Sequence, residues 1–312
     1  MDNQSKNIHL ILGSGGARGL AHIGVIRHLE NQGFNITQIT GCSMGALIGG
    51  IYAAGKLNEY ENWIKSINRF DVLRFLDLSL TGKNGLVKGD KIMDQLREWI
   101  GDIQIENLSI PFTAVSTDIL SQKEIWIHQG DLIDAIRASI SVPGIFTPLV
   151  KNDMVLVDGG ILNPLPIPPQ SLLNKQISIA VSLSGRPIKK PLGQIETIAG
   201  HSDGSLTQQK SAVTRFIDTL QEFFQSEHTE SEQRTKTDLS LTDILMGMFD
   251  TMQDTLARYQ IAGNPPDILI EIPSNICESH DFHRGKELIP AGTYWAKKAL
   301  DEQLSYLEST DR

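Results

Sequence analysis

The stretch Ile39–Gly55, ITGCSMGALIGGIYAAG, constrains what this chain can fold into more than any other. A short apolar approach runs into Gly41-Cys42-Ser43-Met44-Gly45, and small and apolar residues continue to Gly55. This is a G-x-S-x-G turn between an expected strand and an expected helix. Such a turn lifts a serine hydroxyl above the end of a sheet at a strained backbone position. Its glycines are needed because side chains there would strike the neighbouring strand and helix. The dipole of the following helix favours negative charge near Ser43. The pentapeptide also arises by chance in a glycine-rich chain, so its meaning depends on its surroundings.

One β-unit earlier, Ile8–Leu12 reads as a buried strand, followed at once by Gly13-Ser14-Gly15-Gly16-Ala17-Arg18-Gly19. Leu20, Ile23, Ile26 and Leu29 then recur at helical spacing until Gly33, an expected C-cap. A glycine-rich turn between strand and helix points backbone N–H groups above the sheet and suits an anion. Three readings compete. A dinucleotide turn needs G-x-G-x-x-G and an acidic residue at the end of the next strand. Here Arg18 takes the last glycine's place, and the next strand ends near Thr40-Gly41 without an acid. The second reading is an oxyanion hole built from the amides of Gly15, Gly16 and Ala17. The third is tight strand–helix packing and nothing more. Arg18 is either a brace for this loop or a solvated first-turn arginine.

Further along, Tyr60, Trp63, Ile64 and Ile67 predict a helix, and Asp90–Ile100 predicts another. Trp63, Phe70, Phe75 and Leu76 could cap a site or meet lipid, but core packing is the simpler expectation. Strands are expected at 112–119 and 124–128, with a short helix over Asp131–Ser139. A hairpin turns at Asn152-Asp153, and its second strand ends at Asp158-Gly159-Gly160. A carboxylate there can reach into a cleft, or it can be a turn aspartate bonded to its own backbone. Residues 177–183 form another buried strand. Residues 185–240 are polar and read as an insertion. Leu241, Ile244, Leu245, Met248, Phe249, Met252, Leu256 and Tyr259 then share one helical face, read here as core filler. A late strand (267–272) and a helix over 294–307 close the chain. This alternation predicts an α/β fold with a largely parallel sheet and helices on both faces, in one domain spanning 1–312.

Composition narrows the function. The chain has 312 residues and a net charge of −9, which argues against a nucleic-acid binder. Local apolar or basic patches could still dock it at a membrane surface. Cys42 and Cys277 form neither a disulfide framework nor a zinc motif. The N-terminus lacks a secretory pattern, and no run approaches the ~18 apolar residues of a membrane span. A cytoplasmic protein, at most peripheral at the membrane, is the default expectation.

Nucleophilic catalysis needs a serine, a base and oxyanion donors. Two bases fit the sequence. Asp158 could hydrogen-bond the Ser43 hydroxyl directly as a dyad. Alternatively, His283 or His280 could complete a Ser–Asp–His triad. Against the triad, only one strand and one helix precede the serine strand, fewer than such hydrolases normally have.

Taken together, Gly13-Ser-Gly-Gly-Ala-Arg18-Gly19, Gly41-Cys-Ser43-Met-Gly45 and Asp158-Gly159-Gly160 resemble the bacterial branch of the patatin-like phospholipases. Ala138-Ser139 through Pro143-Gly144-Ile-Phe146 matches a further segment of that family. The resemblance covers roughly residues 8–184. It implies a three-layer α/β/α fold of the FabD/lysophospholipase-like type and lipid acyl ester hydrolysis without metal or cofactor. By position, Ser43 is implied as nucleophile, Asp158 as base, and Gly15, Gly16, Ala17 and Arg18 as the oxyanion loop. Many relatives carry Asp-Gly-Ala where this chain has Asp-Gly-Gly, a change expected to leave the chemistry alone. A non-catalytic regulatory protein retaining the fold is the rival from another class.

Overall fold

The run Ile8–Leu12 forms most of β1 (Asn7–Leu12), buried beyond its first residue, as befits a strand covered on both faces. The computed structural model describes residues 6–69, 71–72, 89–169, 176–189 and 241–310. β1 pairs in parallel with β2 (Asn35–Cys42) on one side and with β7 (Ile177–Gly185) on the other. β3 (Phe112–Asp118) extends the parallel sheet beyond β2, and β8 (Ile268–Pro273) extends it beyond β7. β4 (Lys123–Ile127), β5 (Leu149–Lys151) and β6 (Met154–Asp158) add antiparallel pairings at the β3 end. The hydrogen-bonded path is β5-β6-β3-β2-β1-β7-β8, with β4 on β3. The β5–β6 hairpin turns through Asn152 and Asp153, both at positive φ, as a tight two-residue turn requires.

The helices are α1 (Ala21–Asn31), α2 (Met44–Ala53), α3 (Leu57–Ser66), α4 (Asp90–Ile100), α5 (Leu132–Ser139), α6 (Leu241–Gly263) and α7 (Gly285–Thr310). Together with the sheet they make the three-layer α/β/α arrangement expected from the alternation. Alternate residues of β1 divide the core. Ile8, Leu10 and Leu12 join Leu20, Ile23, Ile39 and Ile48 in the main cluster. Ile11 joins a smaller one with Leu165, Ile167, Ala180 and Ala257 of α6. Burying each large aliphatic side chain contributes about 2 kcal/mol.

Two expectations fail for instructive reasons. The closing helix begins at Gly285, before residue 294, and carries Pro290 inside it. Glycine and proline argue locally against a helix there. Packing decides otherwise: a Cβ on Gly292 would stand 1.9 Å from the Ala21 carbonyl oxygen, and one on Gly24 1.8 Å from that of Ile289. The two glycines let α1 and α7 touch backbone to backbone.

The second failure is the apolar stripe of α6. Ile244, Leu245, Met248 and Met252 are 44%, 52%, 55% and 48% exposed. The inward line is instead Gln253 and Ala257, with Asp250 half-buried beside them. α6 turns inward the side that carries Asp250, Gln253 and Ala257, because the glycine-rich loop offers polar partners to the first two and the smaller apolar cluster receives the third. The Trp63 ring meets Tyr60 and Trp99 at centroid distances of 5.6 and 5.2 Å, in keeping with a packing role. Phe70, Phe75, Leu76 and the polar stretch from 190 to 240 lie outside the described residues. Among the described residues, no helix is long and apolar enough to cross a membrane.

Candidate active site

Two registers bring Ser43 and Asp158 together. β2 ends with Cys42 opposite Val115 of β3, and β6 ends with Asp158 opposite Ser116. β4 flanks residues 114–118 along one edge of β3, so β2 and β6 follow one another along the other edge. Their C-terminal ends therefore meet at two successive residues of one strand. Close packing seals the junction: a Cβ on Gly159 would lie 2.3 Å from the Val115 carbonyl oxygen and 3.0 Å from Cys42 Sγ.

Ser43 adopts φ 54° and ψ −121° as the residue capping α2. A non-glycine residue there stores about 1–3 kcal/mol of strain, which its surroundings must hold. The flanking glycines let them. A Cβ on Gly41 would meet the Gly45 carbonyl oxygen at 2.4 Å, and one on Gly45 the Leu12 carbonyl oxygen at 2.0 Å. The Ser43 N–H donates to Ser139 Oγ at 2.9 Å, and Ser139 Oγ donates in turn to the Val115 carbonyl at 2.6 Å. The Asp158 N–H donates to the Ser141 carbonyl at 2.9 Å. Thus the C-terminal end of α5 and the residues just beyond it grip both halves of the site. Sequence reasoning matched this segment to the family but assigned it no task.

Asp158 is completely buried, and Ser43 is 4% exposed. The carboxylate Oδ1 accepts from the Gly160 N–H at 2.7 Å, while Oδ2 completes no hydrogen bond among the described residues. Burial pushes the Asp158 pKa up to about 7, against the opposing pull of the Ser43 hydroxyl and the Gly160 amide. The Ser43 hydroxyl is thus near enough to favour the carboxylate, though Oδ2 retains a lone pair without an ordinary hydrogen bond. Such bonds often tighten only when substrate is bound.

The glycine-rich loop leaves β1 into a short 3₁₀ turn, Gly16–Leu20. Gly16 has φ 56°, and a Cβ there would meet the Ser279 carbonyl oxygen at 2.5 Å. The Gly13 N–H donates to Val181, that of Ser14 to Pro164, and that of Ala17 to Ser279. Among the described residues, the N–H groups of Gly15 and Gly16 take no part in the hydrogen bonds that tie the loop down. The Ala17 amide is committed to Ser279, which sets it apart from those of Gly15 and Gly16.

The Arg18 side chain is a brace. Its Nε donates to the Gly15 carbonyl at 3.0 Å and Nη1 to that of Ser274 at 2.9 Å, while Nη2 pairs with Asp250 at 3.1 Å. From beneath, the Nε2–H of His22 donates to the Gly13 carbonyl at 2.9 Å. Burial lowers the His22 pKa to about 4, so the ring is neutral at ordinary pH. A histidine inside an apolar helical stripe gave no sequence signal of this task.

The histidines considered for a triad lie elsewhere. His280 is exposed, and His283 Nε2 accepts from Arg69 Nε at 3.1 Å. Neither bonds to Ser43 or Asp158. Among the described residues, no cluster of His, Cys, Asp and Glu could hold a metal ion. Two surface hollows, of about 360 and 550 Å³, lie beside Trp126 and His283, and neither contains Ser43.

Comparison with known proteins fits this geometry. The model of the patatin-like phospholipase family matches residues 10–169. The chain is 38% identical over 334 residues to the NTE family protein Rv1063c of Mycobacterium tuberculosis, covering 96% of this chain and 92% of that one. It is 29% identical over 204 residues to lysophospholipase nte1 of Emericella nidulans, and 33% identical over 168 residues to neuropathy target esterase sws of Drosophila persimilis. Those matches span 62% and 52% of this chain but 13% and 12% of the longer proteins. The chain therefore belongs to the patatin-like phospholipase family, and it is a serine hydrolase of the phospholipase type.

Proposed function

We propose that the chain hydrolyses lipid acyl esters by a Ser43–Asp158 dyad through an acyl-enzyme. The observation that carries this reading is the buried Asp158 carboxylate. Its Oδ2 has no hydrogen-bond partner among the described residues, and it titrates near neutrality beside Ser43. A base whose pKa lies close to working pH is well matched to general base catalysis. The names borne by relatives, a lysophospholipase and an esterase, fit the same class of substrate.

The steps follow from the groups present. Asp158 Oδ2 takes the Ser43 hydroxyl proton as Oγ bonds to the ester carbonyl carbon. The carbonyl electron pair moves onto oxygen, and that oxyanion accepts from the Gly15 and Gly16 amides beside the N-terminus of α2. One such donor is worth about 3 kcal/mol in the transition state. The intermediate collapses, and the alcohol leaves with the proton held by Asp158. Water then attacks acyl-Ser43 with Asp158 again as base, releasing the fatty acid.

The test is turnover of p-nitrophenyl esters and of a total lipid extract. Ser43→Ala and Asp158→Asn should each abolish it, and His283→Ala should leave it intact. Loss in the histidine variant with activity kept in Asp158→Asn would favour a triad. Folded protein in which Ser43 ignores a fluorophosphonate probe would favour a non-catalytic role.

A further inference from the structure

Gln253 projects from the inward side of α6 and is 3% exposed. On one side it meets the glycine-rich loop. The Ser14 hydroxyl lies 3.0 Å from Gln253 Nε2, from which it accepts, and 3.2 Å from Oε1, to which it can donate. Ser14 immediately precedes Gly15, and its own N–H is fixed on Pro164. On the other side the carboxamide crowds the turn after β6. A Cβ on Gly160 would stand 2.0 Å from Gln253 Nε2 and 2.9 Å from Asp158 Oδ1. The amide therefore fills the place where an alanine methyl would sit, within a methyl's reach of the base. Gly160 is also the residue whose N–H holds Oδ1.

We propose that Gln253 is a positioning residue for the hydrolysis. It holds the oxyanion loop, through Ser14, against the Asp158-Gly159-Gly160 turn, and position 160 is glycine because the carboxamide occupies the space of a side chain. This rests on the Ser43–Asp158 reading above. It also revises the expectation that Asp-Gly-Gly and Asp-Gly-Ala are interchangeable. In this chain an alanine would displace Gln253 and break its bond to Ser14, so the two positions act as one unit.

The experiment measures kcat and KM for a short-chain p-nitrophenyl ester from pH 5 to 9, on the full chain. The variants are Gln253→Ala, Gly160→Ala, the double variant and Gln253→Glu. Each single alanine variant should lower kcat about tenfold with KM little changed, because loop and base lose their mutual alignment. The double variant should be no worse than the poorer single one, since both changes remove the same contact. Gln253→Glu sets a second carboxylate near Asp158 and should move the acidic limb of the kcat profile up by about one pH unit. A role confined to packing would lower the melting temperature and leave the kcat of the folded Gln253→Ala and Gly160→Ala variants unchanged. Should Gln253→Ala fail to fold, Gly160→Ala and Gln253→Glu still decide. Unchanged kcat, losses that multiply in the double variant, or an unmoved limb would overturn the proposal. A wild type with no ester turnover would refute the hydrolase reading and this one with it. An active wild type indifferent to Gln253 refutes this one alone.

Discussion

Asp158→Asn should make the folded chain more stable above neutral pH while removing its activity. The free carboxyl group ionises near 3.8, whereas burial in the fold raises Asp158 to about 7. Between those values the unfolded chain releases this proton and the folded chain keeps it. Stability referred to this group is thus complete below pH 3.8 and falls as pH rises, until the folded carboxyl has ionised near 7. At ~1.4 kcal/mol per unit of pKa, the full loss is about 4 kcal/mol. Asparagine can still accept from the Gly160 N–H and has no proton to release. Urea unfolding of both proteins at each pH from 4 to 8 isolates this group, because the other carboxylates cancel in the difference. The advantage of Asp158→Asn should be near zero at pH 4, grow steadily to pH 7, and level off. A difference that stays flat across pH 5 to 8 would mean that burial does not hold this carboxyl neutral, and the reasoning for a base poised near neutrality would fail.

Other consequences can be checked separately. In wild type, kcat/KM for ester hydrolysis should rise with pH through about 7 as Asp158 loses its proton, and a limb near 4 would contradict the buried base. Ser139→Ala removes the acceptor of the Ser43 N–H and should lower kcat by about 10²-fold with KM little changed, measured by steady-state kinetics. Gly45→Ala drives a methyl into the Leu12 carbonyl and should destabilise by about 3 kcal/mol or prevent soluble expression, as thermal melting would show. Native Cys42, completely buried and with its thiol pushed far above the usual range, should resist iodoacetamide at pH 8 until the chain is unfolded.

Much of the fold and half of the candidate site were legible because they rest on local sterics. Gly41, Gly45 and Gly159 are glycines for contacts that any side chain would violate, and such demands mark a sequence plainly. Runs such as Ile8–Leu12 and Ile177–Leu183 announce strands buried on both faces. Asp158 was harder, since a strand-end aspartate before two glycines serves equally well as a turn cap, and here it also accepts from the Gly160 amide. What remained hidden depends on partners distant in sequence. The period of α6 identifies an apolar face but not which face meets the protein, and that is decided by Arg18 and Ser14 more than 200 residues away. His22 and Gln253 carry no motif, because each satisfies a single carbonyl or hydroxyl on the glycine-rich loop. The early start of α7 required knowing that α1 would lie against it.

The meeting of β2 and β6 on neighbouring residues of β3 has an evolutionary consequence. The spacing of Ser43 and Asp158 is set by one peptide unit of a third strand, Val115-Ser116, and not by the length of chain between them. The loops that join these elements can lengthen or shorten without moving one group relative to the other, whereas α2, β3, β6 and the α5 segment hold the two groups in place. A lineage can therefore vary those loops while Ser43 and Asp158 keep their geometry.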